Sequence, residues 1–254
     1  MFKNRLEFKG AVIGMCLGDG HLRIPKGGIN AQYSTTHCKK QKDYMLYKIE
    51  MLEYLTSCWS KEGSSSLNGK IFENFKMQTK SHPFYTKLMD HLYFDKRRTV
   101  DEHVMKCITP LGLALWYQDD GTLRQNDDFL VPVIYTYAYS KTEVEMMCRM
   151  LQKKFGLQWR CNQHDKYFAM RLRRSDRKPF YDLIRQYIHP TMEYKIKDDG
   201  QRPRADRGEN FTLNCNHCGK DFDVEYKYRK IRKFCSSKCY HDNRLNNKEE
   251  SHAE

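Results

Sequence analysis

Apolar residues follow helical spacing in two short segments that lie far apart in the chain. The first is VIGMCLGDG, residues 12–20, and the second is LALWYQDDG, residues 113–121. Asp19 and Asp120 occupy the same place in the two segments, and each precedes a glycine. A pattern that occurs twice in one chain is typical of an internal repeat. The two segments therefore predict two halves of similar fold, each beginning with an apolar helix.

Each apolar segment is followed by the same succession of patterns. Residues 21–37 and 122–140 alternate like hairpins, with turn signals at Gly27-Gly28 and at residues 126–128. Amphipathic helix patterns follow at 42–55 and 141–155, and strand-like pieces follow at 72–80 and 166–174. A Pro-Phe-Tyr at Pro83 and again at Pro179 then begins another helix, because proline suits the first helical turn. The predicted order is α-ββ-α-ββ-α, written twice.

The two amphipathic helices have predicted buried faces at helical spacing. Either Ser140 or Thr142 is predicted to cap the second of them. The predicted apolar stripes consist of Tyr44, Met45, Tyr47, Ile49, Leu52 and Leu55 in the first helix, and of Val144, Met147, Cys148 and Leu151 in the second.

Small residues on the two apolar helices predict a close helix pair. Gly14 and Gly18 are four residues apart and share a helix face, while Gly112 and Ala114 supply small residues on the other helix. Side-by-side packing would bring Asp19 and Asp120 together at one end. Two adjacent carboxylates repel each other unless a cation lies between them. Mg²⁺ is typically bound by one or two carboxylates together with waters and the phosphate oxygens of a substrate. The pair therefore favours metal-dependent phosphodiester hydrolysis.

The charge of the chain indicates an anionic partner. The 254 residues include 45 Lys and Arg against 32 Asp and Glu, which gives a net charge of +13 and a pI near 9.2. Such a field is typical of proteins that bind nucleic acid. No apolar run approaches the roughly 18 residues of a membrane span. Six of the ten cysteines are scattered singly, which favours an intracellular, reducing compartment and leaves cytoplasm or organelle undecided.

The two motifs resemble those of the LAGLIDADG homing endonucleases in their two-motif, single-chain form, and the resemblance extends over roughly residues 7–197. It implies an α+β fold made of an αββαββα pair with pseudo-two-fold symmetry, whose sheets sit in the DNA major groove. It also implies that Asp19 and Asp120 bind catalytic Mg²⁺, together with the backbone carbonyls of Gly18 and Asp119. Leu115 departs from the motif, since the family has glycine at that position.

The resemblance further implies one basic residue in each half beside the cleaved phosphates. Lys195 takes that position in the second half. In the first half the position falls on Arg98, with Arg97 or Lys96 adjacent as alternatives. Arginine keeps the positive charge that lysine would supply, but it does not release a proton. An electrostatic role is therefore expected in both halves, and a proton-transfer role only in the second.

Polar side chains on the predicted hairpins and later strands are expected to contact DNA bases and phosphates. A solvated strand face is the alternative for each of them. In the first half these residues are Arg23, Lys26, Asn30, Gln32, Ser34, Lys76, Gln78 and Lys80; in the second half they are Arg124, Gln125, Tyr135, Tyr137, Arg171, Arg173 and Arg174.

Four cysteines near the C-terminus have the spacing of a zinc site. Cys215 and Cys218 are followed, after a gap, by Cys235 and Cys239, which predicts a tetrahedral four-thiolate Zn²⁺ module. Phe222, Tyr226, Tyr228 and Phe234 would supply its small core. The basic residues Lys230, Arg232 and Lys233 favour contact with DNA phosphates, and binding to a protein is the alternative.

The predicted domain organisation is two halves followed by the small module. The boundaries are 1–95 for the first half, 96–197 for the second, 198–211 for a linker, 212–245 for the zinc module and 246–254 for a disordered tail. The leading functional hypothesis is a monomeric, Mg²⁺-dependent, site-specific endonuclease of double-stranded DNA that mobilises its own intron or gene. An RNA-splicing maturase that binds intron RNA, or a regulator that has lost catalysis, are the alternatives.

Overall fold

The computed structural model describes residues 2–67, 70–126, 129–196, 211–224 and 231–250. The chain divides into two compact units, Met1–Lys197 and Asp198–Glu254. Among the described residues, no helix combines the length and the apolar character that crossing a bilayer requires.

The first unit contains two halves with the same order of elements and a short connection between them. The first half consists of α1 (Arg5–Leu17), β1 (His21–Arg23), β2 (Gln32–Cys38), α2 (Lys42–Leu52), β3 (Cys58–Leu67), β4 (Lys70–Thr79) and α3 (Pro83–Leu92). The connection consists of β5 (Tyr93–Phe94), β6 (Arg97–Arg98) and α4 (Glu102–Cys107). The second half consists of α5 (Pro110–Asp120), β7 (Gly121–Asn126), β8 (Phe129–Tyr135), α6 (Lys141–Phe155), β9 (Trp159–His164), β10 (Tyr167–Leu172) and α7 (Arg177–Ile184).

Each half forms one antiparallel four-stranded sheet. The strand orders are β1-β2-β4-β3 and β7-β8-β10-β9, which are the same order in the two halves. The predicted α+β fold, an αββαββα pair with internal repetition, is confirmed. The connection between the halves was not predicted. It forms because Asp95 and Lys96 adopt positive φ in the turn of the β5–β6 hairpin and the Asp101 side chain caps α4.

Helices α1 and α5 pack against each other at the centre of the first unit. Asn4 caps α1, and Thr109 followed by Pro110 begins α5. Helix α1 is buried on all sides from Gly10 to Leu17, and α5 from Leu111 to Gln118, which explains why these stretches are apolar nearly all round. A Cβ at Gly14 would lie 1.9 Å from the carbonyl oxygen of Gly112, so only glycine permits this approach. The predicted close helix pair is confirmed.

Replacing Gly14 with alanine is therefore expected to destabilise the fold. The added Cβ would meet backbone that cannot move without separating the helices, and overpacking of this kind typically costs about 1–3 kcal/mol. Urea unfolding followed by tryptophan fluorescence measures the loss. Gly63→Ala on β3 is the matched control, because its Cβ would meet only the Asn74 side chain, at 3.0 Å. Equal stability of the two variants would contradict the close approach.

Helices α2 and α6 cover the inner faces of the two sheets. In α6 all four predicted stripe residues are buried, and Ser140 rather than Thr142 caps the helix, in a capping box with Glu143. In α2 the predicted stripe is partly wrong. Tyr44, Met45 and Leu52 are buried as predicted, whereas Tyr47 and Ile49 are half-buried, and Leu55 is half-buried and lies past the end of the helix. The position that completes the buried face is Lys48, which is 0% exposed. An α-helix has 3.6 residues per turn, so Lys48, four residues after Tyr44, lies on the same face of α2.

The second unit contains β11 (Phe211–Asn214), β12 (Asp221–Val224) and α8 (Ser237–Glu250). The two strands pair antiparallel. Residues 246–250 continue α8, so the prediction of a disordered tail over 246–254 is wrong for this part. Helix propagation is easier than initiation, and lysine and glutamate favour the helical state once Ser237 has begun it. The predicted linker up to residue 210 and Tyr226 and Tyr228 lie outside the described residues.

Candidate functional site

The two motif acids lie at the same end of the central helix pair. Helix α1 ends at Leu17, just before Gly18 and Asp19, and Asp120 is the last residue of α5. Burial, followed by the nearby Asp19 charge, raises the pKa of Asp120 to about 8. Burial and the Asp119 charge likewise raise the pKa of Asp19. The structure thus brings both predicted acids into one electrostatically coupled group.

The carboxylate of Asp119 is turned inward and paired. Lys48 donates to its two oxygens at 2.6 and 2.8 Å, and both side chains are 0% exposed. The Tyr44 hydroxyl donates to the same carboxylate at 3.0 Å, and the backbone N–H of Asp19 donates to it at 3.3 Å. A Cβ at Gly18 would lie 2.5 Å from the Asp119 side chain, so glycine there makes room for this carboxylate.

His37 joins this charge network from strand β2. Its Nε2 lies 3.0 Å from the Lys48 ammonium, and its Nδ1 lies 3.0 Å from Oε1 of Gln41 and 3.6 Å from a carboxylate oxygen of Asp19. Burial, followed by the Lys48 charge, lowers the pKa of His37 to about 4. The ring is therefore neutral at pH 7, with Nε2 accepting from Lys48 and Nδ1–H donating to Gln41; this tautomer follows from the hydrogen-bond partners.

His37, Asp19 and Asp119 place ligand atoms within 4.8 Å of one another, which is close enough to share a metal ion. His37, Tyr44 and Lys48 were not predicted as site residues from the sequence, although Tyr44 was predicted to be buried. A signal for Lys48 was present, because it lies four residues after Tyr44 on the helix and so on the same face. No comparable sequence signal marks His37, since its neighbours Lys48 and Asp119 come from α2 and α5.

The two basic residues lie beside the motif ends. The ammonium of Lys195 donates to the carbonyl oxygens of Gln118 at 2.5 Å and Asp119 at 2.9 Å. The guanidinium of Arg98 donates to the carbonyl of Gly18 at 2.9 Å and to that of Gly20. Each half therefore places one cation against the carbonyls that end its motif.

The alternatives for the first-half basic position lie elsewhere. Arg97 pairs with Glu143 at 2.8 Å, and Lys96 occupies the hairpin turn. Arg98 is therefore the only one of the three that contacts the motif end. Burial lowers the pKa of Lys195, which eases loss of its proton.

The first sheet presents most of the predicted DNA-contacting residues on one face. Cross-strand pairs share a face, and the register pairs Arg23 with Gln32, and Ser34 with Gln78. Lys76 lies two residues before Gln78 and joins them. Lys80 follows the strand and is exposed. The loop between β1 and β2 carries two more of these residues, Lys26, which is exposed, and Asn30, whose side chain accepts from Thr86 at 3.1 Å.

In the second sheet Arg124, Tyr135 and Arg171 share one face by register. The Arg124 guanidinium lies over the Tyr135 ring at 5.7 Å. Gln125 occupies the alternate position of β7, is exposed, and is also among the residues that line the hollow beside Arg124. The remaining predicted residues lie past the strand ends: Tyr137 stacks on Tyr167 at 4.8 Å, Arg173 donates to Gln158 at 2.9 Å, and Arg174 lies over the Phe129 ring at 3.9 Å.

The four cysteines of the second unit form a cluster, with ligand atoms within 4.8 Å of one another. The Sγ of Cys235 lies 3.6 Å from that of Cys218 and 3.5 Å from that of Cys239. Backbone N–H groups, first that of Cys218, lower the pKa of the Cys215 thiol to about 6. Arg232 and Lys233, which come just before Cys235 in the sequence, are exposed, while Lys230 lies outside the described residues.

Comparison with known proteins decides the family. The sequence profile of the LAGLIDADG DNA endonuclease family matches residues 9–180, which span both halves and both motifs. The chain belongs to this family. The LAGLIDADG motifs are the segments that form α1 and α5 and end in Asp19 and Asp120.

Two relatives and one solved structure are similar to half or more of this chain. The probable intron-encoded DNA endonuclease 3 of Mycosarcoma maydis is 27% identical over 135 residues, which cover 51% of this chain and 97% of that protein. Cytochrome b mRNA maturase bI2 of Debaryomyces hansenii is 25% identical over 191 residues, or 72% of this chain and 71% of that protein. The homing endonuclease I-WcaI, solved bound to its DNA recognition sequence, has a TM-score of 0.70 at 21% identity, covering 78% of this chain and 88% of that one.

Proposed function

We propose that this LAGLIDADG protein is a homing endonuclease that cleaves both strands of a specific DNA site by Mg²⁺-dependent hydrolysis. The observation that carries the proposal is the convergence of Asp19 and Asp120, one from each half, where the paired helices end. Each half also presents a four-stranded sheet with polar and basic residues on one face. One acid and one sheet per half fit cleavage of one strand per half-site by a monomer.

The residues at the helix ends fit a hard divalent cation. Burial raises the pKa values of Asp19 and Asp120; the Asp119 charge adds to the effect at Asp19, and the Asp19 charge adds to it at Asp120. A cation bound among these carboxylates would relieve the repulsion. The carboxylates of Asp19 and Asp120 and the carbonyl oxygens of Gly18 and Asp119 are the ligands proposed to hold it, since Mg²⁺ prefers oxygen. When bound, Mg²⁺ orients an attacking water and stabilises the leaving oxygen of a phosphodiester.

Arg98 and Lys195 are proposed to act on the phosphates of the two strands. Each is held against motif carbonyls and places its charge beside one acid. Arg98 remains charged at any working pH, so it acts through charge alone. The lowered pKa of Lys195 allows it to exchange a proton as well. The two half-sites are therefore proposed to differ in chemistry although they share a fold.

A cleavage assay on selected DNA tests the proposal. Duplexes that the full-length protein binds are recovered from a randomised library, amplified and incubated with protein and Mg²⁺. We expect cuts on both strands at one position in each recovered site. Specific binding without any cleavage in Mg²⁺ or Mn²⁺ would contradict the endonuclease proposal and would leave the DNA-binding regulator.

Maturase activity is the second candidate function, and the similarity to the D. hansenii maturase favours it. A maturase would bind the intron RNA of its own gene. Competition between that RNA and the selected duplex distinguishes the two. Tighter RNA binding, together with RNA-dependent splicing and no DNA cleavage, would replace the endonuclease by the maturase. DNA cleavage and RNA splicing by the same protein would support both the endonuclease and the maturase function.

The second unit is proposed to bind one Zn²⁺ through its four cysteines and to contact DNA phosphates through Arg232 and Lys233. Tetrahedral zinc–thiolate bonds of about 2.3 Å place sulfurs about 3.8 Å apart, close to the sulfur distances in the cluster. Metal analysis of the purified full-length protein is expected to return about one zinc per chain. Cys218→Ser is expected to bring it below half an equivalent. Cys38→Ser, at an exposed cysteine outside the cluster, is the control that keeps the zinc.

A further inference from the structure

The two sheets carry different chemistry at corresponding positions of the faces proposed to meet DNA. The residue two positions after the first motif acid, His21, pairs with Ser34. The residue two positions after the second acid, Thr122, pairs with Val133, so Ser34 corresponds to Val133. Following the registers outward gives the other correspondences: Arg23 with Arg124, Gln32 with Val131, Thr36 with Tyr135, Gln78 with Arg171, and Lys76 with Ala169.

The first sheet is polar at these positions, whereas the second has an apolar floor. Gln32, Ser34 and Lys76 supply an amide, a hydroxyl and an ammonium. Their counterparts are Val131, Val133 and Ala169, which are 2%, 5% and 4% exposed. These three lie on the face opposite the main hydrophobic core, since the alternate residues of β8 face that core.

Long polar side chains surround the apolar floor. Val131, Val133 and Ala169 form the base of a hollow of about 230 Å³, and Arg124 and Arg171 stand among the residues of its rim. The hollow is open to solvent, so a small apolar group could enter it from the DNA side. This combination of two arginines with an apolar patch belongs to the second sheet alone of the two, because the corresponding first-sheet positions carry Arg23 and Gln78.

Only one base presents an apolar group in the major groove. Thymine carries a C5-methyl group there, whereas the other edges present hydrogen-bond donors and acceptors. Guanine offers two acceptors, O6 and N7, to which an arginine donates two hydrogen bonds at once. A floor of valine and alanine would leave a donor or acceptor of another base without a partner, which costs affinity.

We propose that the second sheet recognises thymine methyl groups through Val131, Val133 and Ala169, next to guanines read by Arg124 and Arg171. The first sheet, at the corresponding positions, reads its half-site by hydrogen bonds. The inference rests on the proposed function, because it requires that the two faces bind duplex DNA. It makes the two half-sites chemically unlike, with dependence on pyrimidine methylation confined to one of them.

Uracil substitution tests this inference directly, because deoxyuridine pairs like thymidine and lacks only the methyl group. The selected site is synthesised with deoxyuridine replacing thymidine in one half-site at a time, and binding by the full-length protein is measured without added Mg²⁺. We expect weaker binding for one half-site only, by about fourfold for each methyl group that is removed from contact.

Two variants assign the sensitive half-site to the second sheet. Val133→Thr keeps the shape and replaces a methyl with a hydroxyl, and it is expected to remove most of the uracil penalty. Ser34→Ala at the corresponding first-sheet position is the control, and it is expected to leave the uracil penalty unchanged.

The outcomes separate this inference from the function on which it rests. Failure to recover any specific duplex would overturn the proposed function, and the inference with it. Specific binding with equal penalties in both half-sites, with no penalty, or with a penalty that survives in Val133→Thr would overturn the inference alone. A selected second half-site without thymine would do the same.

Discussion

Asp120→Asn is expected to abolish DNA cleavage by the full-length protein while specific DNA binding is retained. The substitution removes one of the two charges proposed to hold Mg²⁺ and keeps the size of the side chain. The cleavage rate on the selected site is expected to fall by at least about 10³-fold, which corresponds to about 4 kcal/mol of transition-state stabilisation. Single-turnover cleavage and equilibrium binding to the same duplex measure the two effects.

The same variant is expected to be more stable than the wild type at pH 8 without added divalent metal. The pKa of Asp120 is raised to about 8, above its ordinary value of 3.8, so the folded state holds the proton more tightly than the unfolded state. The proton on Asp120 therefore stabilises the folded state at low pH, and this contribution to the free energy of unfolding is lost as the pH rises from about 4 to 8. Asparagine has no proton to lose, so the decline in melting temperature across this range becomes smaller.

Asp182→Asn is the matched control for both measurements. Asp182 is an exposed acid on α7 that forms an ion pair with Lys178, at 2.7 Å. Its substitution is expected to leave the cleavage rate and the pH profile of stability unchanged. Normal cleavage by Asp120→Asn would refute the assignment of Asp120. An unchanged pH profile in that variant would show that burial does not shift the Asp120 pKa.

Lys48→Met is expected to destabilise the first unit by about 3–5 kcal/mol, because it leaves the buried Asp119 carboxylate without its partner. The methionine fills a similar volume, so the loss reports the charge rather than a cavity. Urea unfolding followed by tryptophan fluorescence measures it, since Trp59, Trp116 and Trp159 all lie in this unit.

A double-mutant cycle separates the pair from the individual residues. Lys48→Met combined with Asp119→Asn is expected to be more stable than Lys48→Met alone, because no unpaired charge stays buried. Lys42→Met provides the control on the same helix. It breaks the exposed pair with Glu62, which has a similar distance of 2.8 Å, and is expected to cost less than about 1 kcal/mol. Equal costs for Lys42 and Lys48 would contradict the buried pair.

The predictions from sequence succeeded where the pattern is periodic and repeated. Two copies of an apolar segment, each followed by alternation and then by helical spacing, specify the order of elements, and two matching sheets follow from that order. The close approach of the central helices was also predictable, because glycine at Gly14 has no side chain to separate two backbones. The β5–β6 hairpin was missed, since two strands of two residues are too short to show alternation.

The candidate site was predictable only in part. Asp19, Asp120 and Lys195 stand at recognisable places in repeated segments. Lys48 is marked only by its helical spacing from Tyr44, and His37 has no comparable signal. The importance of both comes from Asp119, an acid that lies far away in the chain. Asp119 shows how far prediction from sequence reached. Its backbone carbonyl was predicted to bind metal, whereas the buried ion pair of its carboxylate with Lys48 was not predicted.

The sequence by itself determined the repeated α-ββ-α-ββ-α order, the pairing of two apolar helices through small residues and the family of the chain. These depend on local periodicity and on motifs that each lie within one stretch of residues. Only the tertiary structure decided which charges meet, because contacts between α2, α5 and β2 depend on packing across the whole unit. It also decided that one sheet face is polar and the other has an apolar floor, since strand register, rather than composition, selects which side chains share a face.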